Sequence, residues 1–202
     1  MRASLTAMIG LMALAACSSG GEQSDTADPE ARETESVADP AANDMLTAEG
    51  WGPLRIGMSR EEVTAAVGGK ADPDAMGGPE PEFCEEYQPA DTPDGLFVMI
   101  EQGTLARVTL VGDTEVRTPE SITVGDSADQ VRAAYGEELR TMPHTYVDAP
   151  GEYLTIWTMG DVGENGTSDE NARGIRYEIG ENGMVQLIHA GGPAIQYVEG
   201  CL

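Results

Sequence analysis

The stretch "IGMSREEVTAAVG" (residues 56–68) decides the fold, because it recurs 68 positions later as "VGDSADQVRAAYG" (residues 124–136). Six of the aligned positions are identical, among them Ser59 and Ser127. Self-similarity at a fixed spacing is the signature of a repeated structural unit. The folded part of the chain is therefore predicted to contain the same unit twice.

Each copy predicts one short helix. Glu62 lies three residues after the first serine, and Gln130 lies three residues after the second. Serine followed at this spacing by Glu or Gln forms a capping box, which satisfies free N–H groups in the first helical turn. Gly68 and Gly136 stand where these helices are expected to end, since glycine adopts positive φ at little cost.

Strand patterns follow both predicted helices. They are "EFCEEY" and "GLFVMIEQGTLARVTLVG" after the first, and "TYVDAPGEYLTIWTMG", "GIRYEIGENGMVQLIHAGG" and "AIQYVEG" after the second. Apolar runs and alternation around glycine-containing turns are typical of antiparallel strands. We therefore expect an α+β fold of two tandem repeats, each a short helix plus a three- to four-stranded antiparallel sheet, forming one domain. The repeats should cover residues 46–116 and 117–202.

The start of the chain, "MRASLTAMIGLMALAAC", has the features of a lipoprotein signal peptide. Arg2 supplies a positive charge, and the apolar run that follows is too short to span a membrane. The stretch "LAAC", from Leu14 to Cys17, resembles the lipobox of bacterial lipoproteins. This resemblance implies removal of residues 1–16, acylation of Cys17 with palmitate-type chains, and anchoring in a lipid bilayer. Ordinary secretion with a coincidental cysteine, or an uncleaved anchor, are the alternatives.

Residues 17–45 are predicted to form the lipidated cysteine and a disordered acidic tether. The segment contains many acids and no aromatic residue, so it cannot bury enough apolar surface to order itself. Ser18 and Ser19 follow the cysteine where an aspartate would signal retention. By resemblance to enterobacterial sorting, this places the protein at the periplasmic face of the outer membrane.

Charge excludes some classes of partner. The chain has 36 acidic and 11 Lys or Arg residues, for a formal net charge of −25. Nucleic acids and anionic lipid surfaces would be repelled. A solvated acidic surface accounts for this charge, and a basic protein partner is the alternative.

The cysteines predict a covalent closure of the fold. With Cys17 assigned to lipid, Cys84 and Cys201 remain, and two such thiols in an oxidising periplasm are expected to form a disulfide. The bond would fix the C-terminus to the first repeat. Two cysteines and two histidines do not match a zinc-site spacing, so no metal or cofactor is expected.

The helix-entry motif also resembles known families. The stretch "LRIGMSREEVTAAVG" resembles that of small periplasmic lipoproteins of the SmpA/OmlA (BamE) type, although those carry one copy and this chain carries two. The tandem arrangement resembles the β-lactamase-inhibitor-protein fold, in which two such units share one sheet. These resemblances imply a protein-binding role in the cell envelope.

Motifs for catalysis are missing from the sequence. It contains no G-x-S-x-G, Walker or H-E-x-x-H pattern. His144 and His189 are each predicted to be structural, the second on a strand face shared with Val185 and Leu187. The acidic stretch "DVGENGTSDEN" has oxygens for weak calcium binding but lacks the EF-hand spacing. We therefore predict that the protein is not an enzyme, with an unrecognised hydrolase as a remote alternative.

The candidate partner-binding residues are Tyr146, Tyr153 and Trp157, since Tyr and Trp are favoured interface anchors. The alternative is that they fill the core. The sequence thus predicts a membrane-tethered periplasmic lipoprotein that acts as a protein-binding or scaffold module for an unidentified periplasmic or outer-membrane protein. The alternative function is inhibition of a periplasmic enzyme, with the acidic loop at residues 160–173 entering its cleft.

Overall fold

The computed structural model describes residues 44–164 and 166–202. The predicted signal peptide, Cys17 and the tether up to residue 43 lie outside the described residues. The α+β class is confirmed, because the described ranges form two α-helices and one seven-stranded antiparallel sheet. Neither helix in these ranges has the length and apolar character needed to cross a bilayer.

The chain contains two groups of elements, each with one helix followed by several strands. Helix α1 (Arg60–Val67) precedes strands β1 (Cys84–Tyr87), β2 (Leu96–Glu101) and β3 (Thr104–Val111). Helix α2 (Ala128–Tyr135) precedes strands β4 (Arg140–Pro143), β5 (Glu152–Met159), β6 (Arg173–Ile179) and β7 (Val185–Gly191). The strand order is β1-β2-β3-β7-β6-β5-β4, so β3 pairs with β7 in the middle of the sheet.

Both predicted capping boxes are confirmed. Ser59 Oγ accepts the N–H of Glu62 at 3.3 Å, and the Glu62 carboxylate accepts the N–H of Ser59 at 2.8 Å. Ser127 and Gln130 make the same two bonds at 3.3 and 3.0 Å. The glycine that follows each helix has positive φ, at 76° and 58°. Local sequence therefore determines where both helices begin and end.

The same backbone bond fastens each helix entry to the sheet. Gly57 donates its N–H to the carbonyl of Leu105 at 2.8 Å, and Gly125 donates to the carbonyl of Val185 at 2.9 Å. The two glycines have φ values of 94° and 91°, which side chains rarely adopt. One entry therefore contacts the start of β3 and the other contacts the start of β7.

The face of the sheet beneath the helices carries the main apolar core. Val63 of α1 and Val131 of α2 are fully buried, as are Ile100 and Ile188 in the strands below. Burial of an aliphatic side chain of this size contributes about 1.5–3 kcal/mol to stability. This face therefore supplies most of the driving force for folding.

The predicted last strand, "AIQYVEG", is wrong. After β7 the chain forms a short 3₁₀ helix (Pro193–Gln196) and crosses the face of the sheet opposite the helices, called here the second face. Arg107 of β3 donates to the carbonyl oxygens of Ala194 at 3.0 Å and Tyr197 at 3.4 Å. Because these carbonyls bond a side chain instead of a neighbouring strand, the C-terminal segment covers the sheet without extending it.

The two cysteines predicted to pair lie at disulfide distance. The sulfurs of Cys84 and Cys201 are 2.05 Å apart, across 117 residues of sequence. Met99 and Ala194 pack beside Cys201 in a small apolar cluster on the second face. The disulfide thus holds the C-terminal segment against β1.

Candidate binding site on the second face

The second face of the sheet buries charged and polar side chains. Arg107 is 3% exposed, and Arg176 and His189 are each 6% exposed. The strand register places Thr109, His189, Arg176 and Thr155 in one row across β3, β7, β6 and β5. Burial of such groups costs free energy unless each finds a partner. The hydrogen-bond and ionic partners of these side chains therefore indicate the role of this face.

Both histidines of the sequence contact one carboxylate, that of Glu178. His144 Nε2 lies 3.0 Å from Glu178 Oε1, and His189 Nε2 lies 3.8 Å from Glu178 Oε2. His144 Nδ1 accepts the N–H groups of Tyr146 and Val147 at 3.0 and 3.1 Å. The proton of the neutral His144 ring is therefore on Nε2, where it is donated to the carboxylate.

The environment of this cluster keeps His189 neutral. Burial lowers the pKa of His189 to about 4, and Thr109 Oγ lies 3.0 Å from its Nδ1. Burial also pushes the pKa of Glu178 upward, but the His189 and His144 rings outweigh this and hold it below its usual range. At neutral pH the cluster holds one carboxylate and a buried neutral His189.

The predicted surroundings of His189 need one correction. The register of β6 with β7 shifts between Glu178 and Ile179. Val185 consequently belongs to the core under the helices, whereas His189 lies on the second face with Thr109. The simple alternation assumed from the sequence fails because a bulge moves the residues on either side of it to opposite faces.

Arg176 is buried without a carboxylate in contact. Its guanidinium lies 3.6 Å from the ring centroid of Tyr153, and Nη1 donates to the carbonyl of Ile195 at 3.2 Å. Among the described residues its Nε is buried without a hydrogen-bond partner, as is the Nε of Arg107, and burial lowers the pKa of Arg176. Arg107, the other buried arginine of the face, forms an ion pair with Glu86.

A cavity of about 170 Å³ lies beside Arg176, between the strands, the acidic loop and the C-terminal segment. Its walls combine two arginines with aromatic, apolar and hydroxyl side chains, and include Arg140, Met142, Tyr153, Thr155, Trp157 and Arg176. Small-molecule and peptide sites commonly have this composition, mostly apolar with a few convergent polar groups.

The three predicted partner-binding residues have different environments. Tyr146 is 65% exposed in the loop between β4 and β5, and its hydroxyl donates to Glu199. Trp157 is half-buried and lines the cavity. Tyr153 also lines it but is only 2% exposed, stacked on His144 with ring centroids 4.7 Å apart. At this exposure Tyr153 offers little surface to a protein partner, and its environment matches the alternative that it packs inside the fold.

The acidic loop is tied to the C-terminal segment. Gln196 accepts the N–H of Thr167 at 2.9 Å and donates to its carbonyl at 2.8 Å. Arg140 donates to the carbonyls of Gly163 at 2.6 Å and Val162 at 3.2 Å. Across the described residues, no group of three or more His, Cys, Asp or Glu side chains is placed to hold a metal ion.

Comparison with protein-family models, curated proteins and solved structures found no match for this chain. The cavity lining offers guanidinium, hydroxyl, amide and aromatic groups together with the carboxylate of Glu164. Such a set can hold a ligand through charge, hydrogen bonds and apolar contact.

Proposed function

We propose that this protein is a lipid-anchored protein of the bacterial envelope whose folded part binds a protein partner without catalysing a reaction. One observation carries the proposal: large apolar side chains are exposed together around the cavity of the second face. Met142, Tyr146 and Val198 are 47%, 65% and 39% exposed, and we call them the apolar rim. Met142 and Val198 line the cavity, and Tyr146 is bonded to the residue after Val198. Clustered exposed apolar groups mark interaction surfaces.

The apolar rim is held in place before any partner arrives. The backbone N–H of Tyr146 is bonded to His144 at 3.0 Å, and its hydroxyl is bonded to Glu199. The disulfide holds the segment that carries Val198. A surface that is already ordered loses little conformational entropy on binding, which supports a binding role.

The polar cluster supports a non-catalytic role. His189 is buried, and its pKa of about 4 leaves the ring uncharged at neutral pH. Its Nδ1 is bonded to Thr109. A general base must reach a substrate, and this ring is enclosed by the sheet and its cover.

Inhibition of a periplasmic enzyme, the alternative function, would require an arm that enters a cleft. The candidate arm, residues 160–173, is tied down by the bonds of Thr167 to Gln196 and of Arg140 to the loop carbonyls. This fastening favours the partner-binding surface over the inhibitory loop.

The repeat interpretation is part of the same proposal. The two capping boxes have matching bonds, and the helix entries that precede them make the same backbone contact with β3 and with β7. Strands β1-β2-β3 lie on one side of the central pairing, and β7-β6-β5 lie on the other, with β4 added at the edge. These correspondences support two tandem units that share one sheet, as in the β-lactamase-inhibitor fold.

The lipid anchor rests on the lipobox, whose residues "LAAC" end at Cys17. Anchoring by more than one acyl chain is stable. Mass spectrometry of the mature N-terminus is expected to show acylated Cys17. An unmodified thiol at that position would contradict the anchor and the outer-membrane location together.

Site-specific crosslinking tests the partner surface. A photoreactive amino acid in place of Tyr146 should give a discrete crosslinked product in intact cells. The matched control is Phe83, an aromatic residue 60% exposed beside β1 at the other edge of the sheet. We expect no product from position 83, and loss of the position-146 product in Met142→Ser. Equal products from both positions, or no product from either, would contradict the proposed surface.

A further inference from the structure

The strongest unexplained feature of the molecule is the charge of Arg176. Arg107 and Arg176 are both buried, at 3% and 6% exposure, and both donate to carbonyls of the C-terminal segment. Arg107 also has Glu86 as an ionic partner. Arg176 has the ring of Tyr153 against its guanidinium and forms no ion pair with a carboxylate of the described residues. A buried charge without a counterion is strongly unfavourable. The chain has 36 acidic residues, so the lack of a partner is not a shortage of carboxylates.

The nearest candidate counterion on the same strand is already in use. Glu178 lies two residues after Arg176 on β6, and its oxygens contact His144 and His189. Its charge favours the ionised form of Arg176, while the charge of Arg107 opposes it. The Arg176 guanidinium is therefore left without an anionic partner on the side that lines the cavity.

A second arginine lines the same cavity. Arg140 bonds only to backbone carbonyls, those of Val162 and Gly163, among the described residues. Glu164 also lines the cavity, but it is exposed and can turn its carboxylate to solvent. Two guanidinium groups thus border a space that holds no buried acid of its own in the described part of the chain.

The remaining walls are suited to an apolar group. Trp157, Met142 and Tyr153 line the cavity, together with the hydroxyl-bearing Thr155. The volume is about 170 Å³, and an apolar cavity of roughly 150 Å³ is large enough for a benzene ring. A small ring or branched aliphatic group therefore fits beside the arginines.

We propose that this cavity is a binding site for a monocarboxylate attached to an apolar group, with Arg176 as the anchor of the carboxylate. Arg140 adds a second positive charge, and Trp157 contacts the apolar part of the ligand. A guanidinium binds a carboxylate through two parallel N–H···O bonds, which gives both affinity and orientation. The inference concerns the cavity alone and holds whether or not the apolar rim binds a protein.

Two sources could supply this chemistry. One is a free aromatic or branched acid, and the other is the C-terminal carboxylate of a partner chain that ends in an apolar residue. Benzoate and 3-phenylpropionate represent the first source. A hexapeptide ending in phenylalanine, with a free or an amidated C-terminus, represents the second.

Trp157 provides the signal for a titration. The chain has two tryptophans, and Trp51 packs against the core under the helices, so Trp51→Phe leaves Trp157 as the single tryptophan. We expect a saturable change of Trp157 emission in the purified full-length chain with at least one of the carboxylates. The neutral amides of the same compounds should bind at least about tenfold more weakly, since they lose the charge-assisted bonds.

Paired arginine variants separate binding from folding. Arg176→Met should abolish saturation, and Arg176→Lys should weaken binding about tenfold because it loses the planar fork. The midpoint of urea unfolding in Arg176→Met should equal or exceed that of the parent chain, because an uncompensated charge is removed. Arg107→Met is the matched control and should lower the midpoint, because it leaves the partly buried Glu86 without its ionic partner.

Each outcome decides the proposal. Binding of the free acids supports a small-molecule source, and binding of only the free-carboxylate peptide supports a chain end. Absence of saturation with every acid and peptide overturns the site. Binding that persists undiminished in Arg176→Met, or that is equal for acids and amides, overturns the role of Arg176.

Discussion

The face of the sheet under the helices buries aliphatic side chains, whereas the second face buries Arg107, Arg176 and His189. Ile188 and His189 show the contrast within one strand, since these neighbours on β7 point to opposite faces and both are buried. The aliphatic face gains free energy from area alone. On the second face each buried polar group loses its hydration and costs free energy unless it finds a partner.

The covers of the two faces differ as well. Helices α1 and α2 begin with capping boxes of their own, so their positions are specified locally. The C-terminal segment on the second face has only the short 3₁₀ helix Pro193–Gln196, and it depends on side chains of the sheet and on Cys84. A cover held by a few specific contacts can be removed by a few substitutions.

Removal of the disulfide should have the largest effect. Cys84→Ser combined with Cys201→Ser is expected to lower the free energy of unfolding by up to about 4 kcal/mol, since the loop it closes is long. Amide hydrogen exchange should become faster in residues 193–202 than in α1 and α2. The wild type in reducing buffer is the control and should behave like the double variant. Unchanged exchange in the C-terminal segment would contradict its dependence on the disulfide.

A cavity in the aliphatic face should be nearly as costly. Ile188→Ala removes a fully buried side chain and is expected to lower the free energy of unfolding by about 3–4 kcal/mol in urea titrations. The exchange rates of all strands should rise together, because this core is shared. A loss below 1 kcal/mol would show that the face is less tightly packed than the structure indicates.

Acid should lower the free energy of unfolding through His189 on the second face. An unfolded histidine has a pKa of about 6.5, whereas His189 in the fold titrates at about 4. Between these values the unfolded chain binds more protons, so the free energy of unfolding falls as pH falls, by about 2–3 kcal/mol at pH 4.

His189→Gln is the matched variant for this pH dependence, since an amide can keep the bond to Thr109. Subtracting its urea-unfolding profile from that of the wild type cancels the general effect of acid on so acidic a chain. The difference should shrink as pH falls from 6.5 to 4. Parallel profiles would contradict the low pKa of His189.

The smallest effects should come from the helix caps, and they should be equal in the two halves. Ser59→Ala and Ser127→Ala each remove the hydroxyl that accepts the N–H three residues on. The Ser127 hydroxyl also donates to Gln130 Oε1 at 2.9 Å, in an exposed position. We expect a loss of about 1 kcal/mol for each substitution. Thermal unfolding of the two variants gives the comparison. A large difference between them would count against two equivalent units.

Local signals predicted the helices and most strands. The capping boxes, and the alternation in β6, act within a few residues and are legible in the sequence. Strand β4 was not predicted, because all of its residues are exposed and carry no apolar pattern. The last segment was misassigned because its carbonyls bond Arg107, which is distant in sequence.

The candidate site was less accessible to prediction than the fold. Trp157 and Tyr153 were identified from residue type alone, and their shared cavity depends on how the C-terminal segment crosses the sheet. The contact of His144 and His189 with Glu178 depends on the register of β6 with β7 and on the loop after β4. Both arrangements join distant parts of the chain, and no short motif encodes them.

The outer strands of the sheet have a consequence for how this chain can associate with other chains. Both β1 and β4 are only four residues long. Strand β4 ends at Pro143, which has no N–H to offer, and Glu86 of β1 already donates its N–H to Gly77 at 2.7 Å. Exposed strand edges template the pairing of neighbouring chains. With both edges shortened, the sheet offers little template for strand addition, so another chain that binds it would have to approach one of its faces.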